Sequence, residues 1–192
     1  MADKLKQENF STFDYDLFPD DKLEDVNKLV NDCKAFVDEF SVNGRNLLFM
    51  GDVGCGKTFM TNCIAKEILD RGYSVLYFTS AQLFDTLAKY VFRAKSEEED
   101  IDRFHEHIYD CDLLIIDDLG TESTNSFVQN QLFMILNERD LRHKSMIIST
   151  NLDFATIRDI YSNRVFSRLF SSFDAKKFDN EDIRVNKKRL GL

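Results

Sequence analysis

The residues able to do chemistry in this sequence lie in three short stretches, each directly after an apolar run. The first, GDVGCGKT at 51–58, fits the pattern GxxxxGK followed by Ser or Thr, and it comes after NLLFM. Gly51, Gly54 and Gly56 let the backbone turn sharply and aim its N–H groups inward, while a helix opening near Lys57 adds its positive N-terminal end. Lys57 has the reach for β and γ phosphates, and the Thr58 hydroxyl suits Mg²⁺. With Asp52, Val53 and Cys55 completing the loop and Phe59 behind it, residues 51–59 form the candidate nucleotide cradle. The bland alternative is a glycine turn that only closes a strand-to-helix corner. Cys55 is read as a small filler; a thiol of lowered pKa near the helix start is the other reading.

The second stretch is DLLIIDD at 112–118, an apolar run that ends on two acids. A phosphate loop needs a carboxylate at the end of a neighbouring buried strand to hold Mg²⁺ partly through water, and Asp117 stands in that place. Asp118 follows directly; the bland reading is that the two acids merely terminate a strand. The third stretch, SMIISTN at 145–151, ends on Asn151. That side chain either orients the attacking water and senses the γ-phosphate, or caps the helix that DFATIRD opens, and the two roles are compatible. His105 and His107 are two apart on a predicted helix and so diverge; together with His143 they are read as surface residues. Cys33, Cys55, Cys63 and Cys111 form no CxxC pair, which points to neither a disulfide framework nor a zinc site.

The elements that must position these residues alternate. After an irregular start, a helix is expected over 21–40, capped by Asp21 with Glu24 and apolar at Leu23, Val26, Val30, Cys33, Val37 and Phe40. Strands are expected at 46–50, 74–79, 112–118 and 145–151, with a fifth near 175–179. Helices are expected over 57–71, stopped by Gly72; from Ala81 to about Lys95; from a Ser96–Glu99 capping box through 109; over 124–141; and in two pieces across 153–171. Apolar runs without period-two alternation, separated by helices, predict an α/β fold with a five-stranded parallel sheet flanked by helices. Ligands of such sheets bind beyond the C-terminal strand ends, where the three stretches lie.

The bulk composition sets limits. The 192 residues fit one domain, 43% hydrophobic and 31% charged, which is a globular composition. No apolar run approaches the roughly 20 residues of a membrane span and the N-terminus has no signal-peptide core, so no membrane partner and a cytoplasmic setting are expected. The net charge of −9 argues against coating nucleic acid by bulk electrostatics. The charge is uneven: from Arg158 to Arg189 nine Lys or Arg face five acids.

Taken in order, FSTFDYDLF, GDVGCGKT, LLIIDDLGTE, IISTN, RVFSRLF and FDNEDIR resemble the AAA+ ATPases, and more closely the bacterial replicative helicase loaders of the DnaC and DnaI type with the related IstB transposition helpers. The resemblance runs from about Asn9 to Arg184. It implies an AAA+ P-loop NTPase with ATP and Mg²⁺ as cofactors, Asp117 as the Walker B metal acid and Asn151 as sensor 1. It further implies that Arg168 is an arginine finger reaching a neighbouring subunit, and that Arg184 is sensor 2. By residue type alone both arginines are ordinary solvated charges. Asp118 departs from the Glu usual in AAA+ proteins and is one methylene shorter, but DD occurs in loaders of this type, so the resemblance implies Asp118 as the general base of a slow hydrolysis. Completion of the site by Arg168 of a neighbour implies an ATPase dependent on oligomerisation or DNA.

The resemblance divides the chain into an N-terminal extension, 1–22, folding onto the nucleotide site, and an AAA+ domain, 23–192, with the helicase-binding domain of full loaders absent. Implied partners are a replicative helicase, single-stranded DNA and a second copy met through Arg168. A helical insertion within 81–109 would carry Lys89, Arg93 and Lys95 toward DNA, although a solvated helix face is the weightier reading beside SEEED; Phe84, Tyr90 and Phe92 are read as packing. The closest alternative is an IstB-like helper of DNA transposition. A small-molecule P-loop kinase would need an acceptor pocket and an arginine-rich lid, and a nucleotide-dependent scaffold would bind ATP and scarcely turn it over. ATP over GTP rests on the resemblance, since no NKxD motif is present.

Overall fold

The computed structural model describes residues 2–40, 44–91 and 106–190. Five parallel strands, β1 (Leu47–Gly51), β2 (Val75–Thr79), β3 (Leu113–Leu119), β4 (Ser145–Thr150) and β5 (Asp174–Phe178), lie in the order β2-β3-β4-β1-β5. The helices are α1 (Ala2–Gln7), α2 (Leu23–Asp38), α3 (Lys57–Asp70), α4 (Ser80–Val91), α5 (Ser126–Leu141), α6 (Phe154–Ile160), α7 (Asn163–Ser172) and α8 (Ile183–Leu190), with a helical stretch at 106–110.

Period two along each strand splits the core into two layers. Leu48, Leu114, Ile116, Met146 and Ile148 pack with residues of α4, α5 and α7 on one face. Leu47, Phe49, Leu113, Ile115 and Ile147 pack with α2 and α3 on the other. Both faces being covered explains why the strands read as continuous apolar runs. The register pairs Ile115 with Tyr77 on one side and with Ile147 on the other, so Asp117, two residues on, shares the α3 face.

The expected helices and strands match closely, with local corrections. The start is not irregular: α1 and three 3₁₀ turns precede α2, and Leu5 is buried in the α2–α3 core layer. Two helical turns are too short to show a period, which hides α1 from the sequence. Asp21 does not cap α2, because a 3₁₀ turn at Asp20–Lys22 runs directly into it and leaves no free first turn to cap. The fifth strand begins one residue earlier than expected, since Asp174 N donates to Asn46 O beside β1. Gly72, at φ 86°, does end α3, with Tyr73 N donating back to Ile68 O at 3.2 Å. Phe84 is core, Lys89 is exposed and Tyr90 is partly buried, while Phe92, Arg93, Lys95, the Ser96–Glu99 box and His105 lie outside the described residues. His107 and His143 are exposed.

Candidate functional site

The phosphate loop joins β1 to α3. Gly56 stands before α3 with φ 102° and Gly54 has φ 80°, values open to glycine at little cost. The loop is tight on its outer side too, where Ile183 N of α8 donates to Gly54 O at 3.0 Å. Lys57 is 5% exposed, and its ammonium donates to Gly51 O and Asp52 O, both at 2.7 Å, and to Asn151 Oδ1 at 2.6 Å. One ammonium has three donors, so the loop, the end of β4 and the lysine form a closed set. Asn151 therefore meets the phosphate lysine, and the helix that follows is capped instead by Asp153, whose side chain accepts from Thr156 N. Cys55 is buried beside Lys57, and burial pushes its thiol up despite the nearby ammonium. The filler reading holds, and the lowered-pKa reading does not.

Asp117 is 3% exposed and, among the described residues, accepts from hydroxyl side chains alone: Thr58 Oγ1 at 3.0 Å, Tyr77 OH and Ser149 Oγ. No ion pair involves it among the described residues. A buried carboxylate without a cation is costly, and its oxygens beside a threonine hydroxyl are the hard donors that Mg²⁺ takes. The site thus fits Mg²⁺, with Thr58 and Asp117 as the residues that would hold it. Among the described residues no three His, Cys, Asp or Glu side chains are grouped to hold a metal alone, and Mg²⁺ in nucleotide sites relies on substrate phosphates.

Asp118 adopts φ 57°, strained for a residue with a Cβ, and its N–H donates to Ser149 Oγ at 2.9 Å. Burial, then the Asp117 charge, raise its pKa, which suits a carboxylate that accepts a proton. Beyond it, Glu122 gathers Ser80 Oγ, Tyr161 OH and Gly120 N, so the loop after β3 is fixed to α4 and to the end of α6.

Lys57, Thr58, Asp118, Asn151 and Arg184 line one cavity of about 570 Å³, a volume in the range of small-molecule sites. Phe13, Leu17, Phe18 and Ile183 add apolar lining to it, and Phe13 stacks on Phe18 with ring centres 5.5 Å apart. Arg184 opens α8 and holds Asp182 at 2.9 Å. Arg168 stands apart: on α7 it bonds Asp140 at 3.0 Å and Asn137 at 2.7 Å, both on α5. Sequence reasoning missed Tyr77, Ser149, Glu122 and Lys4, the last brought to the cavity by α1. Ser149 sits in the quoted IISTN stretch and Glu122 ends the quoted LLIIDDLGTE; nothing local marked Tyr77 or Lys4.

A family model described as IstB-like ATP binding protein matches residues 1–189. The chain is 25% identical over 142 residues to the replicative helicase loader DnaC of Buchnera aphidicola subsp. Schizaphis graminum, covering 74% of this chain and 57% of that protein. It therefore spans little more than half the length of such curated relatives. A crystal structure of the DnaC helicase loader matches with TM-score 0.77 at 20% identity, over 92% of this chain and 99% of that one. AMPPCP-bound DnaA from Aquifex aeolicus matches with TM-score 0.74 at 21% identity, over 97% and 56%.

Proposed function

Because the chain belongs to the IstB-like ATP-binding protein family and has the AAA+ fold, we propose that it is the Mg²⁺-dependent ATPase unit of a loader that places a replicative helicase on single-stranded DNA. The observation that carries the reading is the pair of contacts tying the phosphate loop to the strand ends, Lys57 to Asn151 at 2.6 Å and Thr58 to Asp117 at 3.0 Å. ATP enters with its base against Phe13 and Phe18 and its phosphates at Lys57, so residues 1–22 cover the nucleotide. Mg²⁺, when bound, supplies neutralising charge across the phosphates. Lys57 exchanges its carbonyl partners for phosphate oxygens, Asn151 orients water, and Asp118 takes the proton. Arg184 reads the nucleotide in the same chain; Arg168 leaves Asp140 to meet the nucleotide of a second copy, which makes turnover slow in isolation.

The test is ATP binding with Mg²⁺ by the parent and Lys57→Ala. A charge-assisted hydrogen bond contributes about 1.5–3 kcal/mol, so the variant should lose roughly ten- to a hundredfold in affinity. Parental affinity would overturn the reading. Turnover should fall about a hundredfold in Asp118→Asn, measured with and without single-stranded DNA. A second reading, helper ATPase of DNA transposition, is favoured by the IstB-like family match and uses the same residues. Capture of a replicative helicase in the presence of ATP supports the first reading; capture of a transposase instead supports the second.

A further inference from the structure

Tyr77 belongs to none of the sequence stretches that mark the site, yet it reaches the centre of it. In the register of β2 on β3 it lies opposite Ile115, and Asp117 is the next residue of β3 on the same face. A tyrosine is long enough to cover that diagonal, and its hydroxyl donates to Asp117 Oδ2. On the other side Ser149 of β4 donates to Oδ1. Thr58 Oγ1, from α3, lies 3.0 Å from Oδ2 and 3.3 Å from Oδ1.

These three donors are not equivalent. Thr58 is the one a metal role withdraws, because its oxygen is itself a candidate ligand. Ser149 is shared, since it also accepts from Asp118 N. Tyr77 has no second duty among the hydrogen bonds of the described residues, and its phenol O–H is a donor. Each carboxylate oxygen has about two acceptor positions. With Tyr77 on one oxygen and Ser149 on the other, a single position remains on each, and the plane of the carboxylate is fixed when Thr58 turns away.

We propose that Tyr77 is a positioning residue for the metal acid: its hydroxyl holds Asp117 in the orientation that receives Mg²⁺ with the nucleotide. The role rests on the nucleotide-binding reading above. It predicts an effect confined to the metal, because Tyr77 does not line the cavity where the phosphates and base lie. Hydrogen bonds to a metal-holding carboxylate typically change metal affinity tenfold or more.

The experiment compares the parent with Tyr77→Phe, which keeps the ring and its packing. ATP affinity is measured by calorimetry in excess chelator and across a Mg²⁺ titration, and Mn²⁺ binding to the nucleotide-bound protein is followed by electron paramagnetic resonance. The expected result is unchanged affinity in chelator, with the metal concentration for half-saturation raised about tenfold. A role in folding alone would lower the unfolding temperature of the free protein and leave the metal titration in place, and that outcome overturns the inference while the nucleotide reading stands. A parent that binds no nucleotide at any metal concentration overturns both.

Discussion

Just before β3 the Asp112 carboxylate meets Lys144 at 2.9 Å and the Ser74 hydroxyl at 2.8 Å, whereas at the other end of the same strand Asp117 meets, among the described residues, hydroxyls alone. The entry end is stapled throughout. Arg139, 0% exposed, sends its guanidinium to the carbonyls of Ile108, Tyr109, Cys111 and Ser145 at 2.6–3.3 Å, which ties the helical stretch at 106–110 to the starts of β3 and β4. At the exit end a carboxylate is buried with no ion pair among the described residues, and its neighbour Asp118 is held at a strained φ of 57°. One end of the strand spends its charges on its own fold, while the other leaves charge unbalanced for a ligand to complete.

The largest effect should come from breaking the stapled end. Arg139→Leu removes donors that reach the carbonyls of Ile108, Tyr109, Cys111 and Ser145 at once. An unsatisfied buried group costs about 1–3 kcal/mol, and several carbonyls lose their donor together, so destabilisation of about 3–5 kcal/mol is expected by denaturant unfolding. Because Arg139 touches nothing in the cavity, ATP affinity of the variant that remains folded should match the parent. A loss of affinity without loss of stability would mean that the two ends are not separable.

The exit end should respond in the opposite sense. Asp117→Asn removes an unpaired buried charge, and the hydroxyls of Thr58, Tyr77 and Ser149 can accept as well as donate. The free protein should be as stable as the parent or up to about 1 kcal/mol more so, in line with the stability that functional sites give up. The stabilisation by Mg²⁺ and ATP, about 2.7 kcal/mol at a hundred times Kd for the parent, should disappear. Thermal unfolding with and without Mg²⁺ and ATP measures both quantities. A destabilised free variant would show that the carboxylate serves the fold.

The sequence made the two ends legible to different degrees, for a physical reason. A phosphate loop is contiguous, so GDVGCGKT shows its glycines, lysine and threonine without any knowledge of the sheet. Asp117 and Asn151 are legible because each is a polar break after a buried run. Tyr77 is not, because its role depends on which strand lies beside β3 and in what register. Arg139 is hidden in the same way: on its own helix it reads as one more solvated charge, and only the fold brings four carbonyls to it. The layers of the sheet were legible from the apolar runs, while α1 was too short to declare itself. Arg168 and Arg184 were marked by resemblance alone, and Arg184 lines the cavity whereas Arg168 pairs with α5.

The smallest expected effect sharpens the comparison by pH. Burial by itself would raise the Asp112 carboxyl, but the Ser74 N–H, Lys144 and the Ser74 hydroxyl outweigh it and hold the pKa at about 2. An unfolded chain has its Asp near 3.9, roughly. The folded form therefore binds this proton more weakly, and the resulting stability is complete above about pH 4 and is lost as pH falls toward about 2. The side chain is 34% exposed, so solvent screening limits the contribution to under about 1 kcal/mol. Asp112→Asn should flatten that part of the stability profile and leave the neutral-pH affinity for ATP untouched. If instead the acid-induced loss between pH 4 and 2 is the same in parent and variant, Asp112 is not the group whose pairing secures the entry end, and Arg139 alone carries that role.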